Sequence, residues 1–379
     1  MATPEPFEIR TSDEELDDLR RRLLATRWPE VECVDDWSQG IPLAYLKEVC
    51  QYWADKYDWR ERAAKLNAYP QFRLPLQGLG IHFQHIRSPE PDALPLVMTH
   101  GWPGSIVEFQ KVIGPLTDPA AHGGDAADAF HLVCPSLPGY GFSDKPSSTG
   151  WGVQKIADAW GELMAALGYE RYVAQGGDWG AIVTTCIGIQ DPEHCGGIHL
   201  NMPIVPPDPD TMNDLSEAEQ SALAGMQHYQ DKDSGYSKQQ STRPQTLGYG
   251  LVDSPAGQAG WILEKFWSWT DCNGHPENVL TRDELLDNVM LYWLPGTAAS
   301  SGRLYWESFN TPPMNPVAVP VGCSIFPKEI FRSSKRWAEK HFADKLVHWN
   351  ELEKGGHFAA FEQPEIFVDE VRAALRHAR

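Results

Sequence analysis

The chain has 379 residues, 42% of them hydrophobic, and 52 acidic against 32 basic side chains give a formal charge of −20. That length and apolar content suit a large single domain or two lobes around a sizeable core, while the negative surface repels phosphate backbones and anionic bilayers and argues against nucleic acid and membrane partners. No apolar run reaches the length of a bilayer span, the acidic start is not a secretion signal, and the seven cysteines are scattered without a C-x-x-C pair, so the expectation is a cytoplasmic protein with reduced thiols and neither a disulfide framework nor a zinc site. From the start of the chain, Ser12 and Glu15 have capping-box spacing, and Leu16, Leu19, Leu23 and Leu24 make one apolar helix face that ends before Trp28-Pro29. Pro42 opens a second amphipathic helix with Leu46, Val49, Cys50, Trp53 and Tyr57 on one stripe. The pattern then changes. Gln71 to Leu76 and Ile81 to Ile86 read as a hairpin around Gly78 to Gly80, followed by an apolar strand from Leu94 to Met98 that leads into HGWPGS, His100 to Ser105. A strand at Phe130 to Cys134, a helix from Val153 to Leu167 and strands at Tyr172 to Ala174 and Gly197 to Asn201 give the alternation of a parallel sheet covered by helices.

The alternation lapses from Pro203 to Pro313, where helices near Leu215 to Tyr229, Ala256 to Trp269, Thr281 to Leu294 and Ser300 to Phe309 read as an inserted lid. It resumes with a strand at Val317 to Phe326, a helix around Ser333 to His341, a strand at Leu346 to Trp349 and a last helix opened by Pro364. The expected organisation is a helical N-terminal segment, 1–70, an α/β core in two parts, 71–202 and 314–379, and the helical cap, 203–313, between them.

The most informative stretch is RYVAQGGDWG, Arg171 to Gly180, a buried strand running into a glycine cluster with Asp178 at its centre. It has the Gly-x-nucleophile-x-Gly form of the α/β-hydrolase elbow with a carboxylate in place of serine. A carboxylate is already ionised, attacks a saturated carbon and leaves an ester on the enzyme, which water must then cleave. Hydrolysis needs a base, an acid to orient it and donors for the oxyanion. His357, in GGHFAAFE after the last strand, follows the nucleophile and an acid in hydrolase chain order. Glu329 in FPKE is preferred on position over Glu307, Glu351 and Glu353, and the backbone N–H groups of Trp102 and Trp179 suit the oxyanion. Taken singly, GGDWG could be a capped glycine turn, HGWPGS a Gly-Pro turn and His357 a loop histidine. His82, His85, His194 and Cys195 have no partners at metal-ligand spacing and read as structural.

GGDWG, HGWPGS, FPKE and GGHFAAFE, with the N-terminal helices and the Arg27-Trp28 pair, resemble the epoxide hydrolases of the microsomal type over nearly the whole chain. The resemblance implies an α/β-hydrolase fold with a mostly parallel eight-stranded sheet, a helical cap and an N-terminal segment that wraps the molecule. It also implies Asp178 as nucleophile, Glu329 as charge-relay acid, His357 as water-activating base and two cap tyrosines that hydrogen-bond the epoxide oxygen. MLYWLPGTAASSGRLYWES puts one of these on Tyr305 and GYSKQQSTRPQTLGYG puts the other on Tyr236, with Tyr229 and Tyr249 close by as alternatives. Such phenols can share the charge of an expelled alkoxide without being ionised themselves. No metal or organic cofactor is required, and the implied partners are water and a small epoxide, apolar or aromatic, from catabolism, detoxification or a natural-product pathway; a homodimer is left open. Mammalian and insect members carry an N-terminal anchor, whereas this chain starts with the segment itself, as in the bacterial soluble branch. Two rivals stand beside this reading: a haloalkane dehalogenase, with Trp179 holding halide, and a non-catalytic hydrolase fold that only binds a ligand or protein. The N-terminal wrap, the Tyr305 segment and the glutamate acid argue against the first, and retention of both Asp178 and His357 against the second.

Overall fold

The strand-forming runs meet in one sheet, which in this computed structural model is built from β1 (Glu5–Phe7), β2 (Gln71–Leu76), β3 (Leu79–Ile86), β4 (Leu94–Thr99), β5 (Phe130–Pro135), β6 (Tyr172–Gly176), β7 (Cys195–Leu200), β8 (Val321–Ile325) and β9 (Leu346–Glu351). The structure describes residues 3–309, 311, 313 and 315–379, so the expected boundary at 314 falls outside the described residues. The spatial order is β1-β2-β3-β5-β4-β6-β7-β8-β9. The pairs from β5 through β4, β6, β7 and β8 to β9 are parallel, and β1, β2 and β3 form an antiparallel edge joined to β5. Eight of the strands match the expected sheet. The ninth, β1, is three residues long with a proline at its centre, a composition that only an edge strand tolerates and that leaves no sequence signal.

Parallel strands covered on both faces bury every side chain, and β6 is buried at all five positions. The helices Val153–Ala166 and Asp178–Gln190 pack side by side against this part of the sheet. Trp160 on the first is fully buried, with its indole N–H donating to Thr99 Oγ1 at 3.0 Å. Fully burying a large apolar side chain contributes roughly 1.5 to 3 kcal/mol, so rings such as Trp160, Phe130 and Tyr172 help hold together the sheet on which the site is built.

Between β7 and β8 the described residues add no strand and form the helices Glu217–His228, Gly235–Thr242, Pro244–Asp253, Pro255–Trp269, Arg282–Trp293 and Ala298–Ser308. Two of these, Gly235–Thr242 and Pro244–Asp253, are additional to the helices expected from the sequence. A π-helical turn, Tyr229–Asp233, links the first two helices.

The N-terminal segment holds three helices, Asp13–Leu24, Leu43–Asp55 and Trp59–Asn67. The first has the expected Ser12/Glu15 capping box, though Leu24 at its end is 56% exposed and does not join the apolar face. The third starts at Asp58, whose carboxylate accepts from the N–H groups of Arg60 and Glu61, and Tyr57 lies before it rather than on the second helix. These helices pack onto the inserted ones. Arg62 Nε lies 2.9 Å from both carboxylate oxygens of Asp287, Tyr57 donates to the same carboxylate at 2.7 Å, and Trp37 stacks on Trp267 with ring centroids 4.8 Å apart. Among the described residues no helix is long and apolar enough to cross a membrane.

Candidate active site

In an open parallel sheet the carboxyl ends of the strands face the crevice where ligands bind. β6 runs into Asp178, β4 into the HGWP loop, β8 into Glu329 and β9 into His357. At the turn after β6, Asp178 opens its helix with φ of +51°, a left-handed conformation that costs an L-residue about 1 to 3 kcal/mol. The turn is tight: a Cβ on Gly180 would lie 1.9 Å from the Thr99 carbonyl oxygen, and one on Gly101 would lie 2.1 Å from Asp178 Oδ1. That closeness lets the Trp102 backbone N–H donate to Asp178 Oδ1 at 2.8 Å. The Trp179 N–H belongs to the first turn of the same helix, where amides have no intrahelical acceptor.

The HGWP loop is held from two sides. The His100 Nδ1–H donates to the Gly101 carbonyl at 2.9 Å while Nε2 accepts from the Leu137 N–H at 3.2 Å, a pairing that needs a neutral ring, and burial pushes its pKa down to about 4. From the inserted helix Arg282–Trp293, Asn288 Nδ2 donates to the Pro103 carbonyl at 2.7 Å and the Tyr292 hydroxyl to the Gly104 carbonyl at 2.6 Å.

His357 sits with Nε2 3.3 Å from Asp178 Oδ2 and Nδ1 2.6 Å from Glu329 Oε1. Its backbone N–H donates to the Trp269 carbonyl at 2.9 Å, so the end of the helix Pro255–Trp269 fixes the histidine loop. Burial works against a charge on the ring, but the carboxylates of Glu329 and Asp178 outweigh it and hold the pKa well above the usual histidine range. Beside this pair lies an enclosed cavity of about 20 Å³, lined by Asp178, His357, Glu108, Gln175 and Asn201 among others. It is large enough for one water molecule. Gln175 Oε1 is buried without a hydrogen-bond partner among the described residues, and burial raises Glu108 to about 8, leaving a neutral carboxyl at pH 7.

On the other side of Asp178 a cavity of about 550 Å³ opens between the sheet and the inserted helices. Tyr305 and Tyr236 line it, 2% and 6% exposed, with ring centroids 5.8 Å apart. Tyr236 stacks on Trp102 at 4.8 Å, and Tyr305 meets the Trp179 ring edge to face at 4.8 Å. Burial above all raises both phenols well above their ordinary pKa, so they remain donors. The Tyr305 hydroxyl has no partner among the described residues. Farther along, the walls are apolar, with Ile182, Ile189, Met202, Ile330, Phe331 and Phe309.

Asp178, Glu329, His357, Trp102, Trp179, Tyr236 and Tyr305 thus meet at one place. The alternatives separate: Tyr249 is 69% exposed on an outer helix face, Glu307 caps the Gly150 N–H, and Glu351 and Glu353 are exposed. Tyr229 also lines the cavity, with its hydroxyl 3.1 Å from that of Tyr236. Glu108 and Gln175 escape the sequence reading; the only signal is a carboxylate inside the otherwise apolar run IVEF. Among the described residues no group of three or more His, Cys, Asp or Glu side chains is placed to hold a metal, and the seven cysteines are free thiols.

A strand, a strained turn bearing the acidic residue and a helix, faced by a histidine and glutamate from the next strand ends, define an α/β-hydrolase. Residues 95–246 match the family model for the alpha/beta hydrolase fold, and residues 4–109 match that for the epoxide hydrolase N terminus. The chain is 56% identical over 375 residues to a Stigmatella aurantiaca protein named provisionally as an epoxide hydrolase, covering 99% of this chain and 85% of that one. It is 37% identical to epoxide hydrolase 1 of Sus scrofa over 97% of this chain and 87% of that protein. The Aspergillus niger epoxide hydrolase structure superposes with a TM-score of 0.90 at 32% identity, covering 100% of this chain and 97% of that one. The chain belongs to the epoxide hydrolases.

Proposed function

We propose that this epoxide hydrolase works through a covalent ester on Asp178. The carrying observation is that the two oxygens of Asp178 face different partners: Oδ1 accepts the Trp102 N–H, while Oδ2 lies 3.3 Å from His357 Nε2. Oδ2 attacks an epoxide carbon, the C–O bond of the ring breaks, and the departing oxygen takes a proton from the Tyr236/Tyr305 pair. Oδ1 is then the carbonyl oxygen of the ester, already in the donor site that will stabilise the oxyanion. Water in the small cavity gives a proton to His357 Nε2 and attacks the Asp178 carbonyl carbon. Collapse of the tetrahedral intermediate breaks the ester C–O bond, the departing diol oxygen takes the proton of the added hydroxyl, and the carboxylate is restored.

Esterification itself prepares the second step. Two carboxylates hold the proton on His357 at rest, and esterifying Asp178 removes one of those charges, so the ring gives up its proton and becomes a base. That proton balances the one delivered to the ring oxygen, and the hydrolysis of the ester returns it. Expulsion of an alkoxide calls for proton donors, whereas expulsion of halide does not, so the pair of phenols favours an epoxide over a haloalkane. A cavity of about 550 Å³ with apolar walls beyond the phenols suits an apolar or aromatic epoxide.

A single turnover in oxygen-18 water tests the ester. With enzyme in excess, the label is expected in the protein at Asp178 and not in the diol; label appearing first in the diol would mean direct attack by water and would overturn the proposal.

A further inference from the structure

The two phenols have unlike surroundings. The Tyr305 hydroxyl meets no partner at hydrogen-bond geometry among the described residues and has only the Trp179 indole close enough to favour its ionised form weakly, whereas the Tyr236 hydroxyl lies 3.1 Å from that of Tyr229. Behind Tyr229 the chain of hydroxyls continues. Tyr229 reaches Ser237 Oγ at 3.2 Å, and Ser237 Oγ donates its one proton to the Ser234 carbonyl at 2.8 Å. Ser237 can therefore only accept from Tyr229. With the site empty of substrate, the protons run outward from Tyr236 to Tyr229 to Ser237. When charge grows on an epoxide oxygen, Tyr236 turns its proton to that oxygen, and Tyr229 can turn its own proton back to the Tyr236 oxygen, which is gaining negative character. A donor to the oxygen of a phenol strengthens that phenol as a donor.

The main chain keeps Tyr229 in register for this exchange. It starts the π-helical turn Tyr229–Asp233, an irregularity that recurs at functional sites. At the far end of the turn, Asp233 accepts from the Trp269 indole N–H at 2.6 Å and the Ser268 hydroxyl at 3.2 Å, and pairs with the buried Lys265 ammonium. The Tyr229 ring packs edge to face on Phe331 at 4.8 Å and is 6% exposed.

We infer that Tyr229 is a positioning residue for ring opening: its hydroxyl backs the Tyr236 hydroxyl and makes Tyr236 the stronger of the two donors, while Tyr305 acts without such support. The inference rests on the epoxide-opening role proposed above for Tyr236. Tyr229→Phe removes the hydroxyl and leaves the ring against Phe331. Its effect is read by single-turnover alkylation with styrene oxide as probe, comparing wild type, Tyr229→Phe, Tyr236→Phe, Tyr305→Phe and the doubles that pair Tyr229→Phe with each of the other two. Alkylation is expected to slow about tenfold in Tyr229→Phe, the rate equivalent of one ordinary hydrogen bond. It should slow by the same factor on the Tyr305→Phe background and by less than about twofold on the Tyr236→Phe background. Hydrolysis of the ester once formed should be unchanged. An equal loss on the Tyr236→Phe background, or no loss in the single variant, would overturn the inference while leaving the ester mechanism standing. Failure of the wild type to form an adduct with styrene oxide or with other aryl and alkyl epoxides would overturn the proposed function beneath it.

Discussion

In the mechanism proposed above, Asp178 Oδ1 and Oδ2 divide the two half-reactions between them, and so do the residues around each oxygen. On that mechanism His357 acts as a base only once the ester exists, so His357→Gln should still be alkylated while hydrolysis falls by about 100- to 10,000-fold, the usual worth of a positioned general base. Intact-protein mass spectrometry would show the substrate mass retained on the variant; an unmodified protein with substrate demonstrably bound would contradict the assignment. Glu108 faces the water cavity as a neutral carboxyl, which gives a second expectation. Glu108→Leu should slow ester hydrolysis about tenfold and leave alkylation alone, while Glu108→Gln, which keeps a neutral donor, should lose much less. The rates of adduct appearance and decay separate these cases. The contrast between the two residues shows what a sequence can carry. His357 lies in a glycine-flanked loop after a strand and in hydrolase order, so its place was legible; Glu108 takes its meaning from a cavity formed by five separate segments, and nothing local marks it.

At the level of elements, legibility follows local strength of pattern. The helices opened by capping boxes can be read from the sequence, as with Asp13–Leu24, which also has one apolar face, and Arg282–Trp293, which is buried all round from Leu285 to Tyr292. Gly235–Thr242 carries almost no apolar stripe, because its one buried face sets the polar Ser237 and Gln240 beside Tyr236. The N-terminal helices are tied to the inserted ones by a pair that no local pattern reveals: Arg62 and Asp287, separated by 225 residues, with side chains 17% and 9% exposed. Removing one member of a buried pair strands the other charge. Arg62→Leu should therefore cost about 3 kcal/mol in urea unfolding, whereas the double variant Arg62→Leu/Asp287→Leu should recover most of that loss. A single variant within about 0.5 kcal/mol of wild type, the range of an ordinary surface change, would mean that the pair contributes nothing to docking these helices. The same helix, Arg282–Trp293, holds the HGWP loop through Asn288 and Tyr292. A loosened contact at Asp287 should therefore also slow alkylation.

For the molecule as a whole, the ends of β8 and β9 must stay in register, because the chain beyond them carries Glu329 and His357. Helix Pro364–Leu375 packs against both strands and presents one buried carboxylate to them. Glu370 Oε2 accepts from Ser324 Oγ on β8 at 2.6 Å and lies 2.8 Å from His348 Nε2 on β9, while Oε1 accepts from Asn350 Nδ2 at 2.6 Å. Ser324 in turn accepts from the His199 Nε2–H on β7 at 2.9 Å, the His199 ring being kept neutral by burial. Three strands are thus linked to one anion. Burial works to raise the Glu370 pKa, but hydrogen bonds from His348, Ser324 and Asn350 outweigh it and hold it at about 2, against 4.5 for a free glutamate. A carboxyl with a lowered folded-state pKa stabilises the fold above its unfolded value, and that contribution disappears as pH falls from about 4.5 to about 2. Its full size at neutral pH is roughly 3 kcal/mol. Glu370→Gln keeps the shape and removes the charge, so the stability gap between wild type and variant should be roughly 3 kcal/mol in urea unfolding at pH 7 and less than half of that at about pH 3. A gap of the same size at both pH values would mean that packing and not charge holds the strands together. If the charge does hold them, Glu370→Gln should also lose activity on acidification at a higher pH than wild type, since slippage at β8 and β9 would part Glu329 from His357 before the rest of the sheet opens.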